Sequence, residues 1–209
     1  MRQPRKAMGS ASTQLPLDLQ TMQRWHRVTP RNGQPAYFIA ILPGFEIAQK
    51  ATLIADGLHR EHAFYRGPRP AGLLHLTTCG IGGYEESPEE IAVAISEAIK
   101  DIHMEPFTLV LDCLMTYDTP TKHVVLCGEK GQTQFRLLHI KLVKALRLAG
   151  FYAALDCGCQ PHMTLFYRGK DIGKRRLPDP FVIQASQIFL VQSHIGEGRH
   201  DHFGPWPLH

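Results

Sequence analysis

A histidine, one spacer and a threonine occur twice in this chain: His75-Leu76-Thr77 within LLHLTT and His162-Met163-Thr164 within QPHMTL, 87 residues apart. Side chains alternate across a strand, so in each copy the imidazole and the hydroxyl share one face. Leu74, Leu76 and Thr78 take the opposite face of the first copy, as Met163, Leu165 and Tyr167 do in the second. Two such strands facing one another would put two imidazoles and two hydroxyls around one small anion. That set suits phosphodiester cleavage. A neutral imidazole takes a proton from the attacking oxygen, and a protonated one gives a proton to the departing oxygen. An unperturbed pKa near 6.5 makes both forms accessible around neutrality. The threonine hydroxyls can donate to the non-bridging oxygens, where charge builds in the transition state. A strained electrophile such as a 2′,3′-cyclic phosphate needs no metal or other cofactor. A single His-x-Thr is common and usually means a packed, hydrogen-bonded histidine, so the chemistry depends on the two copies meeting in space.

The elements needed to bring them together are readable. AYFIAILP (36–43) is a short apolar run closed by proline and reads as a buried strand. Phe45, Ile47, Ala48, Ala51, Ile54 and Leu58 fit one face of a helix over roughly 45–60. A loop containing YRGPRPAG leads into the first His-x-Thr strand. Ser87, Pro88 and Glu90 form a capping-box start for a helix with Ile91, Ile95, Ile99 and Ile102 on one side. Strands are expected at 106–117 and 123–128, and a helix at 133–149 stopped by Gly150. The QPHMTLFY strand follows, with further strand material at 181–193. The order is β-α-β-α, then β-β-α-β-β. A helix and a loop precede the first motif, and a helix and a loop precede the second; Gly82 and Gly169 each fall seven positions after their histidine. Such repetition points to an α+β, bilobal, pseudo-twofold fold: two antiparallel sheets facing a central groove, helices outside.

Bulk properties bound the rest. At 209 residues, 44% hydrophobic and 20% charged, the chain can bury an ordinary globular core. No apolar run is long enough for a membrane span and no signal-peptide stretch opens the chain, so a cytoplasmic protein without membrane association is expected. Residues 1–35 hold six Lys/Arg and one acid, and are expected to be a disordered basic extension ahead of a single bilobal domain at 36–209. RGKDIGKRR (168–176) carries five bases and one acid, which suits either a solvated loop or a landing site for phosphate. Five cysteines, an odd number, argue against a disulfide framework. Cys157, Cys159 and His162, with the RHDH run (199–202), are candidates for a metal site, but the Cys-x-Cys spacing and the lack of a second pair argue against one. His200, His202 and His209 are expected in an exposed tail.

In these paired motifs and their setting, the chain resembles the 2H phosphoesterases, and within them the RNA 2′,3′-cyclic phosphodiesterases historically called 2′-5′ RNA ligases. The likeness runs over roughly 36–193. It implies hydrolysis of a nucleoside 2′,3′-cyclic phosphate, at RNA ends or free, to a 2′-phosphate, with 2′-5′ ligation as the reverse reaction. It implies His75 as proton donor to the leaving 3′ oxygen and His162 as the acceptor that activates water. Thr77 and Thr164 would hold the phosphate, with Arg168 as a basic helper. Phe166, Tyr167 or Tyr37 would stack a base, core packing being the expected job of at least two of the three. A two-lobed chain forms the whole groove alone, so a monomer is expected. The reading from a different class is a non-catalytic RNA-binding module using the basic arm and GKRR.

Overall fold

The computed structural model describes residues 25–31, 34–153 and 160–209. Two antiparallel sheets share one continuous hydrophobic core. The first sheet has five strands in the order β1 (Arg27–Val28), β3 (Leu76–Tyr84), β2 (Pro35–Ile41), β8 (Gln187–His194) and β9 (Arg199–Pro207). The second has four, in the order β6 (His162–Phe166), β5 (Val124–Cys127), β4 (Phe107–Thr116) and β7 (Lys174–Ala185). Helices α1 (Phe45–His62), α2 (Pro88–Ile99) and α3 (Gln132–Leu148) pack outside, each turning its apolar stripe to the core: Ala48, Ala51, Ala55 and Leu58 from α1, Ile91, Ile95 and Ile99 from α2, and Phe135, Leu138, Leu142 and Leu146 among those from α3. This is the bilobal α+β fold that the sequence pattern predicts.

Local chemistry explains most boundaries. The capping box is present as expected: Glu90 N–H donates to Ser87 Oγ (3.3 Å) while Ser87 N–H donates to the Glu90 carboxylate (3.0 Å). Gly128 closes β5 because its α-carbon runs against the β4 backbone. A Cβ there would lie 1.9 Å from the Val110 carbonyl oxygen.

Three expectations change. Part of the stretch assigned to a disordered extension is folded. Trp25 stacks on Phe151 (centroids 4.5 Å apart) and donates to the Ala149 carbonyl (2.9 Å), and Arg27 and Val28 pair with Tyr84 and Gly83. An indole that buries a face and satisfies its N–H outweighs the polar composition around it. Residues 1–24 lie outside the described set. Second, 199–207 is not a tail but β9, paired with β8 along its length. Third, the last three residues of the basic RGKDIGKRR stretch are strand: Lys174, Arg175 and Arg176 pair with Met115, Leu114 and Cys113 of β4, and Arg175 and Arg176 lie 3.7 Å from Glu61 and Asp112.

Candidate active site

The strand order explains how the two motifs approach. β6 is an edge strand of its sheet, and β3 is covered on one side only by the two-residue β1, which meets it at Gly83 and Tyr84. The motif end of β3 therefore faces β6, and the two strands pack together where the sheets meet. A backbone hydrogen bond from Arg69 N–H to the Leu165 carbonyl (2.8 Å) fastens the loop before β3 to β6.

His75 precedes β3 directly, after a 3-10 turn at Ala71–Leu73, and His162 opens β6. Both are half-buried, as are Thr77 and Thr164, while the intervening Leu76, Thr78, Met163 and Leu165 are buried. The face alternation expected from the sequence thus holds in both copies. The imidazoles are held alike: Nδ1 of His75 lies 2.8 Å from the Leu73 carbonyl, and Nδ1 of His162 lies 3.0 Å from the Gln160 carbonyl. A carbonyl only accepts, so each Nδ1 carries the proton and Nε2 is the basic nitrogen of each neutral ring.

The groove has a volume of about 870 Å³ and runs over the open face of the five-stranded sheet, with His75 and Thr77 on its wall. Burial pushes the His75 pKa down to about 3; Arg69, His200 and His162 push in the same direction, and the Leu73 carbonyl opposes them. Burial also lowers His162, against the Gln160 carbonyl. His162 is near enough to His75 for its charge to be felt there, and it also lowers His123 after burial has done so.

Two groups that sequence reading passed over sit beside His75. Arg69, in the Pro/Gly loop, donates to the Leu73 carbonyl (2.8 Å), lays its guanidinium 4.8 Å from the Tyr167 ring centroid, and disfavours a proton on His75, His200 and His123. His200, on β9, has its ring 5.3 Å from that of His75 and 5.7 Å from Phe38; burial first, then Arg69, takes its pKa down to about 4. The PRP spacing around Arg69 marked only a loop, and the RHDH run marked only a polar end, so neither carried a signal that it returns to the first motif.

The other expected site residues divide. Tyr167 is exposed, lines the groove and packs edge-on against His123 (4.7 Å), so it has surface to offer a base. Phe166 does not: it is 1% exposed and packed on Phe64 (4.4 Å) in the core, because a register shift between Val124 and Val125 breaks the alternation that would have set it beside His162 and Thr164. Tyr37 is also 1% exposed, forms part of the groove floor and has no free ring face for a base. Arg168 sits at an exposed turn with φ of 58°, its N–H held by the Thr121 carbonyl (2.9 Å), and is not among the residues lining the groove. Cys157 and Cys159 lie outside the described residues; among those described, no cluster of three or more His, Cys, Asp or Glu side chains is arranged to hold a metal ion. Cys113 and Cys127 are buried thiols facing each other across β4 and β5. No helix among the described residues is long and apolar enough to cross a membrane.

Where the two sheets meet, His75 and Thr77 stand on the groove wall and the matching pair on β6, His162 and Thr164, lies beside the groove and not among the residues that line it; the result is a two-histidine α+β architecture. Residues 45–187, a span that contains both motifs, match the 2′-5′ RNA ligase superfamily, and the chain belongs to that family. The fold is similar to that of E. coli LigT in apo form (TM-score 0.69, 22% identity, 84% of this chain and 98% of that one). It is also similar to E. coli LigT complexed with 3′-AMP (TM-score 0.65, 22% identity, the same coverage). The protein TT0787 of Thermus thermophilus shares it too (TM-score 0.64, 18% identity, 83% and 97%). No curated protein sequence matches the chain.

Proposed function

We propose that the chain is a phosphodiesterase that opens a nucleoside 2′,3′-cyclic phosphate at an RNA end to a 2′-phosphomonoester through two-histidine acid–base chemistry. The observation that carries this reading is the matching tethering of His75 and His162. Each ring is oriented by the carbonyl two residues before it, and each is left with one working nitrogen. In the forward direction His162 Nε2 takes a proton from water as the water oxygen bonds to phosphorus. The P–O3′ bond breaks, and the 3′ oxygen leaves with the proton from His75 Nε2. With the 5′-hydroxyl of a second RNA in the place of water, the same proton transfers and the same P–O3′ cleavage give a 2′-5′ phosphodiester, which is ligation.

Thr77 and Thr164 donate to the non-bridging oxygens. Arg69 takes the role that the sequence reading gave to Arg168, since it is the cation beside His75. A phosphate there also removes a conflict. A proton donor with a pKa near 3 is empty at neutral pH. Bringing a phosphodiester anion against Arg69 cancels the cation's push on His75 and adds an attraction for the imidazolium. The substrate thus charges its own acid. E. coli LigT is known in complexes with 3′-AMP and with phosphate, ligands of the size and charge this groove would take. One chain supplies both histidines, so a monomer suffices.

Replacing His75 or His162 with Ala removes one proton-transfer partner and is expected to lower turnover of a 2′,3′-cyclic nucleotide by about 10²–10⁴-fold. The circular-dichroism spectrum should be unchanged. Two variants with wild-type turnover would defeat the assignment.

A further inference from the structure

The groove is much longer than its chemistry needs. From His75 and Thr77 it follows β3 past Gly80 and Gly82 to Tyr152. At roughly 3.3 Å per residue, the seven steps from His75 to Gly82 span about 20 Å, well beyond one nucleotide. Along this stretch β3 offers the groove two glycines, Gly80 and Gly82, between the side chains of Tyr37, Phe38 and Ile81. A Cβ built on Gly80 meets nothing within 4 Å, so glycine here leaves space open rather than relieving a clash.

At the far end stands a built pair. The Arg27 guanidinium carbon lies 3.7 Å from the centroid of the Tyr152 ring, and Arg27 Nε lies 3.5 Å from where a Gly82 Cβ would be. The pair is held from behind: β1 pairs Arg27 with Tyr84, the Tyr152 N–H donates to the Tyr84 hydroxyl (2.9 Å), and Trp25 stacks on Phe151.

The charge pattern says what the extension takes. Among the described residues no carboxylate lines the groove, and Arg66 and Arg69, which line it, form no ion pair, nor does Arg27, which stands beside it over Gly82 and Tyr152. Arg199, by contrast, is within 3.9 Å of Glu197 and 3.8 Å of Asp201. Unneutralised guanidinium groups spaced along a groove with open space over Gly80, and an aromatic ring at the end, are the elements of a single-strand track: cations follow the phosphates and the ring stacks a base.

We infer that the groove holds the last several nucleotides of a single-stranded RNA, with Arg27 and Tyr152 forming a distal subsite for an upstream nucleotide. This rests on the proposed site for the terminal phosphate at His75 and His162, and deepens it: the preferred substrate is an oligonucleotide end and not a free cyclic mononucleotide.

The test is binding, read apart from turnover, with the full chain. Fluorescence anisotropy compares a labelled hexaribonucleotide bearing a 3′-phosphate with competition by a nucleoside 3′-monophosphate. The hexamer should bind at least about tenfold more tightly than the mononucleotide. Arg27→Gln should lose about tenfold of hexamer affinity, leave mononucleotide affinity unchanged, and reduce the salt slope by about one. Gly80→Leu, which fills open space midway, should reproduce the hexamer loss even if the Arg27 variant is poorly folded. The inference is overturned if either folded variant holds the hexamer as the wild type does, or if a polyglutamate peptide of matched charge binds equally well. Hydrolysis of a cyclic-phosphate hexamer, run in parallel, separates the two readings. Loss on Arg27→Gln without any hydrolysis by the wild type would leave the track standing and remove the phosphodiesterase.

Discussion

At the scale of single residues, the site is governed by how hard it is to keep a proton on an imidazole in an empty groove. Burial lowers His75, His162 and His200, and Arg69 adds to the effect on the first and last. Catalysis needs one charged and one neutral ring, so the free enzyme loses its competent form as pH rises through a pKa that lies below 6.5. The alkaline limb of kcat/KM is therefore expected on the acid side of about 6.5, the ordinary histidine value. The limb of kcat, which reports the complex, should move to higher pH because bound phosphate stabilises the imidazolium. Initial rates from about pH 4 to 9 check this; an alkaline limb of kcat/KM above about 7 would show that the rings are not held low. The two histidines and two threonines were legible in the sequence because a repeated spacing survives without any knowledge of the fold. Arg69 and His200 were not. Arg69 is placed by an irregular loop fastened to Leu165 of β6, and His200 arrives only once β3, β2, β8 and β9 are laid side by side; nothing in PRP or RHDH encodes either.

At the scale of elements, legibility followed periodicity. The helices and the strands β2 to β6 have apolar positions at 3.6- or 2-residue spacing, and their boundaries fall within a few residues of expectation. β9 reads RHDHFGPWP, with charges, a glycine and two prolines where a strand should alternate. It is held by pairing with β8 and by tertiary anchors: Trp206 Nε1 donates to Ser96 Oγ (3.0 Å) and Leu208 N–H to the Ser186 carbonyl (2.8 Å). β8 is its neighbour across a short turn, but β9 itself lacks alternation and its Ser96 anchor lies 110 residues away, so no local pattern announces the strand. The start of α2 is the opposite case, since its cap is wholly local. Ser87→Ala deletes the acceptor for Glu90 N–H and breaks the reciprocal box. It should cost about 1 kcal/mol. For a chain of this size the melting temperature should fall by roughly 2–4 °C, with activity retained. An unchanged melting temperature would mean the cap contributes nothing measurable.

At the scale of the whole molecule, the groove exists only if the lobes keep their relation. His139, on α3 of the second half and 2% exposed, places Nδ1 2.8 Å from the Thr78 carbonyl on β3. One buried polar contact thus links the helix of one motif's half to the strand of the other, one residue from Thr77. His139→Leu keeps the bulk but removes this donor, at an expected cost of about 1–3 kcal/mol. A urea titration should show a lower midpoint with an unchanged slope. A full-strength midpoint would mean that apolar packing alone sets the register between the lobes. The bilobal shape was foreseeable from two copies of helix, loop and motif strand. The folded arm at Trp25 was not, because an indole's partner, Phe151, is more than a hundred residues away.

The backbone tethers on the two rings have one more effect. A ring whose rear nitrogen is tied to a main-chain oxygen has no relay into the interior: it is not a link in a wire but a cul-de-sac. In the proposed reaction, each turnover leaves one ring a proton short and the other a proton over. Both imbalances must then be corrected at the mouth, by water entering once product has gone. Resetting the pair is therefore coupled to emptying the cleft, and slow clearance of product would delay the next cycle twice over.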